Sequence, residues 1–163
     1  MQFPILNDKP KLPAGQKYHC IIIDLDGTLN VMSKHPGYKF NWTRREETSA
    51  LLKSQAANWP LISLTNALFA HLNESVVFIV MTARPDDFKE ATEWWLSTHK
   101  VKYHTLMMRD SGDVRSDAEV KSTLIDRVKD LHTIWFALDD RKTVVDMMRA
   151  RGILTLQVND NCS

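Results

Sequence analysis

The chain has 163 residues, of which 44% are hydrophobic and 25% are charged, and this length and balance predict a single soluble globular domain. Its formal net charge of +1 excludes the strong overall basicity that marks some nucleic-acid-binding proteins. Cys20 lies in an apolar run and Cys162 at the chain end, so we expect no structural disulfide and a reducing, cytoplasmic location. The apolar runs are too short to cross a bilayer, and we expect neither a membrane span nor a secretory signal.

The predicted elements alternate between strands and helices. Residues 1–17 contain three prolines and several lysines and are predicted to form a tail, with the folded domain over residues 18–163. A strand at about 19–24 leads into residues 27–42, whose glycines, proline and mixed aromatics indicate a loop or flap. The later strands are predicted at about 75–82, 103–108, 133–138 and 153–158, and the helices at about 43–56, 61–73, 86–99, 116–131 and 142–151.

Local signals mark where several of these helices begin and end. Thr43–Glu46 and Ser116–Glu119 both fit the capping box, in which two side chains each bond to the other residue's backbone N–H. Pro85 stands where a helix often has its first residue. Gly152 is a typical residue to follow the end of a helix.

Strands that are apolar throughout, alternating with amphipathic helices, predict a Rossmann-like α/β domain with a parallel sheet flanked by helices. We interpret Trp94, Trp95 and Trp135 as part of its core. Between the strand at 75–82 and the helix at 116–131 there is room for one helix and one strand, so we expect no large cap domain. Ligands of such sheets bind beyond the carboxyl ends of the strands, which makes the polar residues there the candidate site.

Three predicted strands end directly on such a polar residue: Asp24, Thr82 and Asp139. The stretch CIIIDLDGTL, residues 20–29, places Asp26 two residues after Asp24. Residues two apart in an extended chain point to the same side. The two carboxylates are therefore predicted to be close neighbours, which is costly unless a cation or a proton lies between them.

Carboxylates gathered in this way suit a hard divalent cation such as Mg²⁺, which prefers carboxylate, water and phosphate oxygens. The sequence has no clustered Cys/His ligands of the kind that bind zinc. A carboxylate can also attack phosphorus as a nucleophile. Phosphoryl transfer needs donors and cations around the phosphate, and Thr82, Arg84 and Lys121 offer them, while Gly27 lets backbone N–H groups approach a phosphate.

The segments DLDGTL, MTAR, a helical lysine and LDD occur in this order, and they resemble the four motifs of the haloacid dehalogenase (HAD) superfamily. Within it, LMMRDSGDVRSDAEVKSTLIDRV and ALDDRKTVVDMMRARGILTLQV resemble the phosphatase domains of bacteriophage polynucleotide kinase-phosphatases. The resemblance extends from about residue 19 to the end of the chain. It implies an HAD-like phosphatase and, for a phage-encoded chain, a location in the host cytoplasm.

The resemblance implies roles for four aspartates. Asp24 would be the nucleophile that becomes phosphorylated. Asp26 would be the general acid that protonates the leaving oxygen and then the base that activates water. Asp24, the backbone carbonyl of Asp26 and Asp139 would hold Mg²⁺, with Asp140 in support.

The resemblance also indicates which residues surround the transferring phosphoryl group. Thr82 and Lys121 would cradle it, and Arg84 and Asp117 occupy positions that matter for activity in the family. Asp117 is therefore also a candidate for substrate binding.

Further candidate substrate-binding residues lie beside these motifs. Gly27 and Thr28 follow the aspartates of the first motif. Arg109 and Arg115, with Lys142, either form part of a basic rim along a nucleic-acid backbone or belong to an ordinary charged surface. His35 lies in the flap, near the place where the family carries an arginine, so contacts to the substrate are expected to differ there.

The function expected from this resemblance is removal of a 3′-terminal phosphate from DNA or RNA. One alternative is a phosphatase of nucleoside monophosphates or another small metabolite. Another is a non-catalytic module that binds phosphorylated ends. The chain has no G-x-x-x-x-G-K-[ST] motif, so we expect no kinase half within it, and a separate kinase or ligase working beside it is left open.

Overall fold

The structure, a computed structural model, describes residues 16–31 and 41–158. Nearly all of the predicted tail, the central part of the predicted flap and His35 lie outside the described residues. The strands are β1 (Tyr18–Asp24), β2 (Asn30–Val31), β3 (Ala56–Ala57), β4 (Val76–Pro85), β5 (Thr105–Arg109), β6 (His132–Asp139) and β7 (Thr155–Gln157). The helices are α1 (Arg45–Ser54), α2 (Trp59–Leu72), α3 (Lys89–Thr98), α4 (Asp117–Leu131) and α5 (Lys142–Ala150).

Five strands form a parallel sheet in the order β5-β4-β1-β6-β7, which confirms the predicted Rossmann-like α/β fold. Strand β1 lies in the middle, hydrogen-bonded to β4 on one side and to β6 on the other. Asp24 is paired with Met81, and Ile23 with Leu138. The carboxyl ends of β1, β4 and β6 therefore meet at one edge of the sheet, where such folds bind their ligands.

The sheet is apolar on both faces because helices cover both. Ile22 packs with a cluster that includes residues of α4 and α5, such as Leu124 and Met148. Its neighbours in β1, Ile21 and Ile23, point the other way and pack with residues of α2 and α3. Alternation of side chains along a strand explains why three consecutive isoleucines serve two cores.

Of the predicted helix starts, only that of α4 has the expected cap. Ser116 and Glu119 form a complete capping box. The Thr43 hydroxyl instead donates to the Asn41 side chain, and α1 begins at Arg45 without a side-chain cap, so the box predicted there is wrong.

The helix start predicted at Pro85 is also wrong. This residue ends β4, where it pairs with Arg109 after an irregularity in the strand register. One 3-10 turn, Asp86–Phe88, separates it from α3. Sheet pairing with β5 extends the strand past Thr82, the end indicated by the apolar run.

A second, two-stranded antiparallel sheet forms between β2 and β3, with Asn30 paired with Ala57 and Val31 with Ala56. It joins the edge of the predicted flap to the end of α1. Strands of two residues are too short for a periodic signal, so the sequence did not predict them. Within the described ranges no large cap domain covers the carboxyl edge of the main sheet.

Only one of the three tryptophans interpreted as core residues is buried. Trp95 is 0% exposed, whereas Trp94 and Trp135 are 47% and 42% exposed. The Lys53 ammonium lies 5.6 Å from the centre of the Trp94 ring, an exposed cation–π contact. In the described part of the chain, no helix combines the length and the hydropathy needed to span a membrane.

Candidate active site

Three carboxylates gather at the carboxyl edge of the main sheet. Asp24 is the last residue of β1, Asp139 is the last residue of β6, and Asp140 follows it. One oxygen from each side chain lies within 4.8 Å of the others. Because β1 and β6 are adjacent and parallel, their ends bring together acidic residues more than a hundred positions apart in the sequence.

Lys121 of α4 bridges two of these carboxylates. Its Nζ lies 2.5 Å from Asp24 Oδ1 and 2.6 Å from Asp139 Oδ2, and its side chain is 4% exposed. If all are ionised, three carboxylates and one ammonium leave two formal negative charges, which is the charge that one divalent cation balances.

The carboxylates of the cluster repel one another, and Lys121 offsets part of this repulsion. Burial raises the pKa of Asp24 well above its usual range, and Asp139 and Asp140 raise it further against the opposing attraction of Lys121. Burial alone would lower the pKa of Lys121, but Asp24 and Asp139 raise it above its ordinary value. Asp24 Oδ2 is buried and has no hydrogen-bond partner among the described residues. An all-oxygen donor set with an unsatisfied carboxylate oxygen fits a hard cation such as Mg²⁺.

Gly27 packs directly against this cluster. It has a φ of +87°, and a Cβ added there would overlap the Asp140 carboxylate. Glycine alone reaches this conformation without strain and leaves room for the carboxylate.

Asp26 is not one of the three clustered carboxylates and pairs instead with Arg84. Arg84 Nε donates to Asp26 Oδ2 at 2.7 Å, and Arg84 Nη2 donates to Asp26 Oδ1 at 2.6 Å, a bidentate fork. Burial alone would raise the pKa of Asp26, but Arg84, with a hydrogen bond from Asn30, lowers it. The expected closeness of Asp24 and Asp26 thus takes the form of two adjacent ion pairs, Asp24–Lys121 and Asp26–Arg84.

Two buried threonines line the same region. The Thr82 hydroxyl accepts the backbone N–H of Arg84 at 3.2 Å, which holds the end of β4 in its irregular path. The Thr28 hydroxyl is buried without a hydrogen-bond partner among the described residues. The roles of both threonines at a phosphoryl group stay predictions.

Arg109 and Asp117 belong to a second charged group. Arg109 donates to the backbone carbonyls of Ala83, Asp113 and Arg115 and to Asp117 Oδ1 at 2.6 Å. Its guanidinium therefore holds the loop between β5 and α4.

Arg115 and Arg141 complete this group. Arg115 pairs with Asp113 and is about half exposed. Asp117 also pairs with Arg141, which follows the carboxylate cluster in sequence and donates its backbone N–H to Asp139 Oδ1. Sequence reasoning did not select Arg141, although its position beside Asp140 was a usable signal.

Two further residues in contact with the site were missed. Asn30 donates to Asp26 Oδ1 at 2.9 Å, and Gln55 accepts from Arg84 Nη2 at 2.6 Å. Both are buried. Gln55 lies 29 residues before Arg84, and no motif links them, so only the fold reveals the contact.

The same arrangement of strands occurs in several solved structures. A chain of the Pnkp1/Rnl/Hen1 complex is 27% identical with a TM-score of 0.72, and the match covers 89% of this chain and 47% of that one. A chain of the Pnkp1/Rnl/Hen1 RNA repair complex matches equally well over 88% of this chain and 43% of its own. This chain thus spans less than half the length of those two.

The class C acid phosphatase from Bacillus anthracis, with tungstate bound, is 17% identical with a TM-score of 0.62, over 92% of this chain and 70% of that one. A search of curated protein sequences gives no significant match. The fold and these neighbours define the class of the protein, an α/β domain of the HAD-like type. Residues 18–162 match the family described as the polynucleotide kinase PNKP phosphatase domain, and because the match spans most of the chain, the protein belongs to this family.

Proposed function

We propose that this chain is a Mg²⁺-dependent phosphomonoesterase that forms an aspartyl-phosphate on Asp24, and that its substrate is a 3′-phosphorylated nucleic-acid end. The observation that carries the proposal is the buried cluster of Asp24, Asp139, Asp140 and Lys121 at the carboxyl edge of the sheet. Membership of the polynucleotide kinase phosphatase family supports the same chemistry.

Asp24, Asp139 and Asp140 would hold the magnesium ion, together with the backbone carbonyl of Asp26. When bound, the ion supplies positive charge that neutralises the carboxylates and the phosphate oxygens. Three carboxylates within 4.8 Å and the unpartnered Asp24 oxygen favour this assignment.

In the first step, a carboxylate oxygen of Asp24 attacks phosphorus, and the bond from phosphorus to the ester oxygen breaks. Asp26, whose pKa Arg84 lowers, must first take up a proton from solvent; it gives that proton to the leaving oxygen and becomes a carboxylate again. In the second step, water attacks the phosphorus of the acyl phosphate and loses a proton to Asp26. The bond from phosphorus to Asp24 then breaks, and phosphate leaves.

The neighbouring polar residues would stabilise the charge that develops on the phosphoryl group. Thr82 and Lys121 would cradle its oxygens, and Thr28 and the backbone of Gly27 would add donors. Arg84 would hold Asp26 in place through the bidentate fork seen in the structure.

The substrate-binding roles of Arg109, Arg115, Asp117 and His35 belong to the proposal as well. Arg109 and Asp117 bind each other at 2.6 Å, so these two would shape the rim rather than neutralise a nucleic-acid phosphate. Arg115 is the more exposed of the two arginines, which makes it the better candidate for such a contact.

A 3′-phosphorylated DNA or RNA end is the proposed substrate for two reasons. The family is defined by polynucleotide kinase phosphatase domains, and one matched structure is described as an RNA repair complex. A role in nucleic-acid end repair, with a separate kinase or ligase acting on the same ends in the cytoplasm, completes the proposal.

The direct test uses Mg²⁺ and three substrates: a 3′-phosphorylated oligonucleotide, its 5′-phosphorylated twin and a set of nucleoside monophosphates. Faster phosphate release from the 3′ end is expected. Equal or faster turnover of mononucleotides would move the substrate to small metabolites, and no phosphate release from any of them would leave a module that binds phosphorylated ends.

A substitution tests the covalent step. Asp24→Asn is expected to abolish turnover in a folded protein because an amide does not form the acyl phosphate. Asp146→Asn is the matched control, since Asp146 is exposed and pairs only with Lys142 on α5 among the described residues. Turnover retained in Asp24→Asn would refute the aspartyl-phosphate route.

A further inference from the structure

Both the oxygen and the nitrogen of the Asn30 side-chain amide form hydrogen bonds beside Asp26. Its Oδ1 accepts the backbone N–H of Gly27 at 2.9 Å. Its Nδ2 donates to Asp26 Oδ1 at 2.9 Å and to Gln55 Oε1 at 2.5 Å. The residue is 0% exposed, so no water competes for these bonds, and the amide orientation is set by its three partners.

Gln55 ties Asn30 to Arg84. Its Oε1 accepts from both Asn30 Nδ2 and Arg84 Nη2, and its backbone carbonyl accepts the Trp95 indole N–H at 2.8 Å. The pairing of β2 with β3 sets Ala57 opposite Asn30. It brings the side chain of Gln55, the residue just before β3, within hydrogen-bond distance of the Asn30 side chain. The small sheet therefore positions a polar group at the site.

The two oxygens of Asp26 are left in different states by this network. Among residues 16–31 and 41–158, Oδ1 accepts two hydrogen bonds, from Asn30 and from Arg84, whereas Oδ2 accepts one, from Arg84. A carboxylate has about four lone-pair sites, two on each oxygen. Oδ1 is therefore filled, and Oδ2 keeps one site for a further partner.

We propose that Asn30 and Gln55 are positioning residues that occupy Oδ1 of Asp26 and leave Oδ2 as the oxygen that meets the leaving group and later the attacking water. This inference rests on the proposed function, in which Asp26 gives a proton to the leaving oxygen and later takes one from water. Asn30 occupies Oδ1 directly. Gln55 holds Asn30 and the Arg84 fork in register, so that Oδ2 keeps a constant orientation.

The role predicts a dependence on the leaving group. An alkoxide, such as the 3′ oxygen of a nucleotide, needs a proton as it departs, whereas 4-nitrophenolate departs readily without one. Loss of the positioning residues will therefore slow cleavage of a 3′-phosphorylated oligonucleotide and spare cleavage of 4-nitrophenyl phosphate. The ratio kcat/KM is the quantity to compare, because it reports the steps up to departure of the leaving group.

The experiment measures kcat/KM for both esters in the full chain and in two variants, Asn30→Leu and Gln55→Met, which remove the amides and keep the approximate volume. A well-placed general acid typically accelerates a reaction by about 10²–10⁴-fold, so we expect each variant to lose about 10-fold or more on the oligonucleotide. On 4-nitrophenyl phosphate we expect a loss of less than about 3-fold. Gln55→Glu keeps an acceptor oxygen for Asn30 and Arg84 and is expected to recover part of the loss.

Asn58→Leu is the matched control. Asn58 precedes α2, and its Nδ2 donates to the Thr28 backbone carbonyl at 2.9 Å, so the variant removes an amide that holds the turn after Asp26 without removing a hydrogen bond to Asp26 or Arg84. It is expected to lower stability and to leave the ratio of the two kcat/KM values unchanged. Melting curves identify any variant that does not fold, and Gln55→Met carries the test if Asn30→Leu does not fold.

Two results would overturn the inference. Equal losses on both esters in Asn30→Leu and Gln55→Met would show that the two residues only support the fold. A loss of kcat/KM in Asn58→Leu on the oligonucleotide but not on 4-nitrophenyl phosphate would show that the leaving-group effect is not specific to Asn30 and Gln55. Inactivity of the unmodified chain toward both esters is a different outcome, because it would refute the proposed function itself.

Discussion

The carboxylate cluster predicts that one aspartate of the candidate site destabilises the metal-free protein. Asp140→Asn removes one negative charge from the group of Asp24, Asp139 and Asp140, whose oxygens lie within 4.8 Å of one another. Two like charges at that distance repel by about 3.5 kcal/mol at an effective dielectric constant of about 20. Lys121 offsets part of this repulsion, and Asp24, whose pKa is raised by burial and by its carboxylate neighbours, can take up a proton instead.

We therefore expect a net gain of about 1–2 kcal/mol in the free energy of unfolding of Asp140→Asn without metal. For a domain of this size that corresponds to a rise in Tm of about 2–8 °C. The assay is a thermal melt of the unmodified protein and the variant in EDTA and in Mg²⁺. In Mg²⁺ we expect the unmodified protein to have the higher Tm, because the variant has lost a metal ligand and is stabilised less by the ion.

Asp146→Asn provides the control for this comparison. It removes an exposed carboxylate that pairs with Lys142 one helical turn away, and its Tm is expected to change little in either condition. A lower Tm of Asp140→Asn in EDTA would refute the idea of a repulsive cluster held for a cation. An equal Mg²⁺ response in the variant and the unmodified protein would refute the metal assignment.

Three further predictions concern Gly27 at the site and the buried residues Cys20 and Trp95. Gly27→Ala is expected to lower Tm and abolish turnover for two reasons. The added methyl group overlaps the Asp140 carboxylate, and the backbone conformation of Gly27 costs other residues about 1–3 kcal/mol. An unchanged melting curve and rate would contradict this. Burial raises the pKa of Cys20 to about 12 from its ordinary 9.0, so we expect its thiol to resist iodoacetamide at pH 8 until the chain unfolds, as measured by mass spectrometry of the Cys20 peptide. The free energy of unfolding is expected to fall as pH rises from 9.0 towards 12, because the unfolded thiol ionises first. Labelling of Cys20 in the native protein would contradict its burial. Trp95→Phe loses the hydrogen bond to the Gln55 carbonyl and is expected to lower the free energy of unfolding by about 1–3 kcal/mol in a denaturant melt. Trp94→Phe, at an exposed position, is expected to lower it far less. Equal effects would contradict the burial of Trp95 and the exposure of Trp94.

The sequence alone determined the architecture and the chemical identity of the candidate site. Apolar runs such as residues 75–82 are long enough to define buried parallel strands, and polar residues at their ends, Asp24 and Asp139 among them, follow from the rule that ligands bind at the carboxyl edge. The capping box of Ser116 was also readable, because capping is a local interaction between residues three apart.

Tertiary contacts overrode other local signals in the sequence. Pro85 suits a helix start, yet pairing with Arg109 of the neighbouring strand keeps it in β4. Trp94 has the spacing of a core residue, but the face of α3 that meets the sheet is decided by Trp95 and its neighbours. Strand pairing and helix rotation depend on residues distant in sequence, so propensity and periodicity could not settle them.

The arrangement within the site was decided by the tertiary structure. The sequence predicted Asp24 and Asp26 as close neighbours with a cation or a proton between them, whereas the fold pairs each with a basic side chain, Lys121 from α4 and Arg84 from β4. Asn30 and Gln55 join this network only because two short strands pair across 25 residues. Hydrogen bonds of that kind require positions fixed to within a few tenths of an ångström, which only the packed chain supplies.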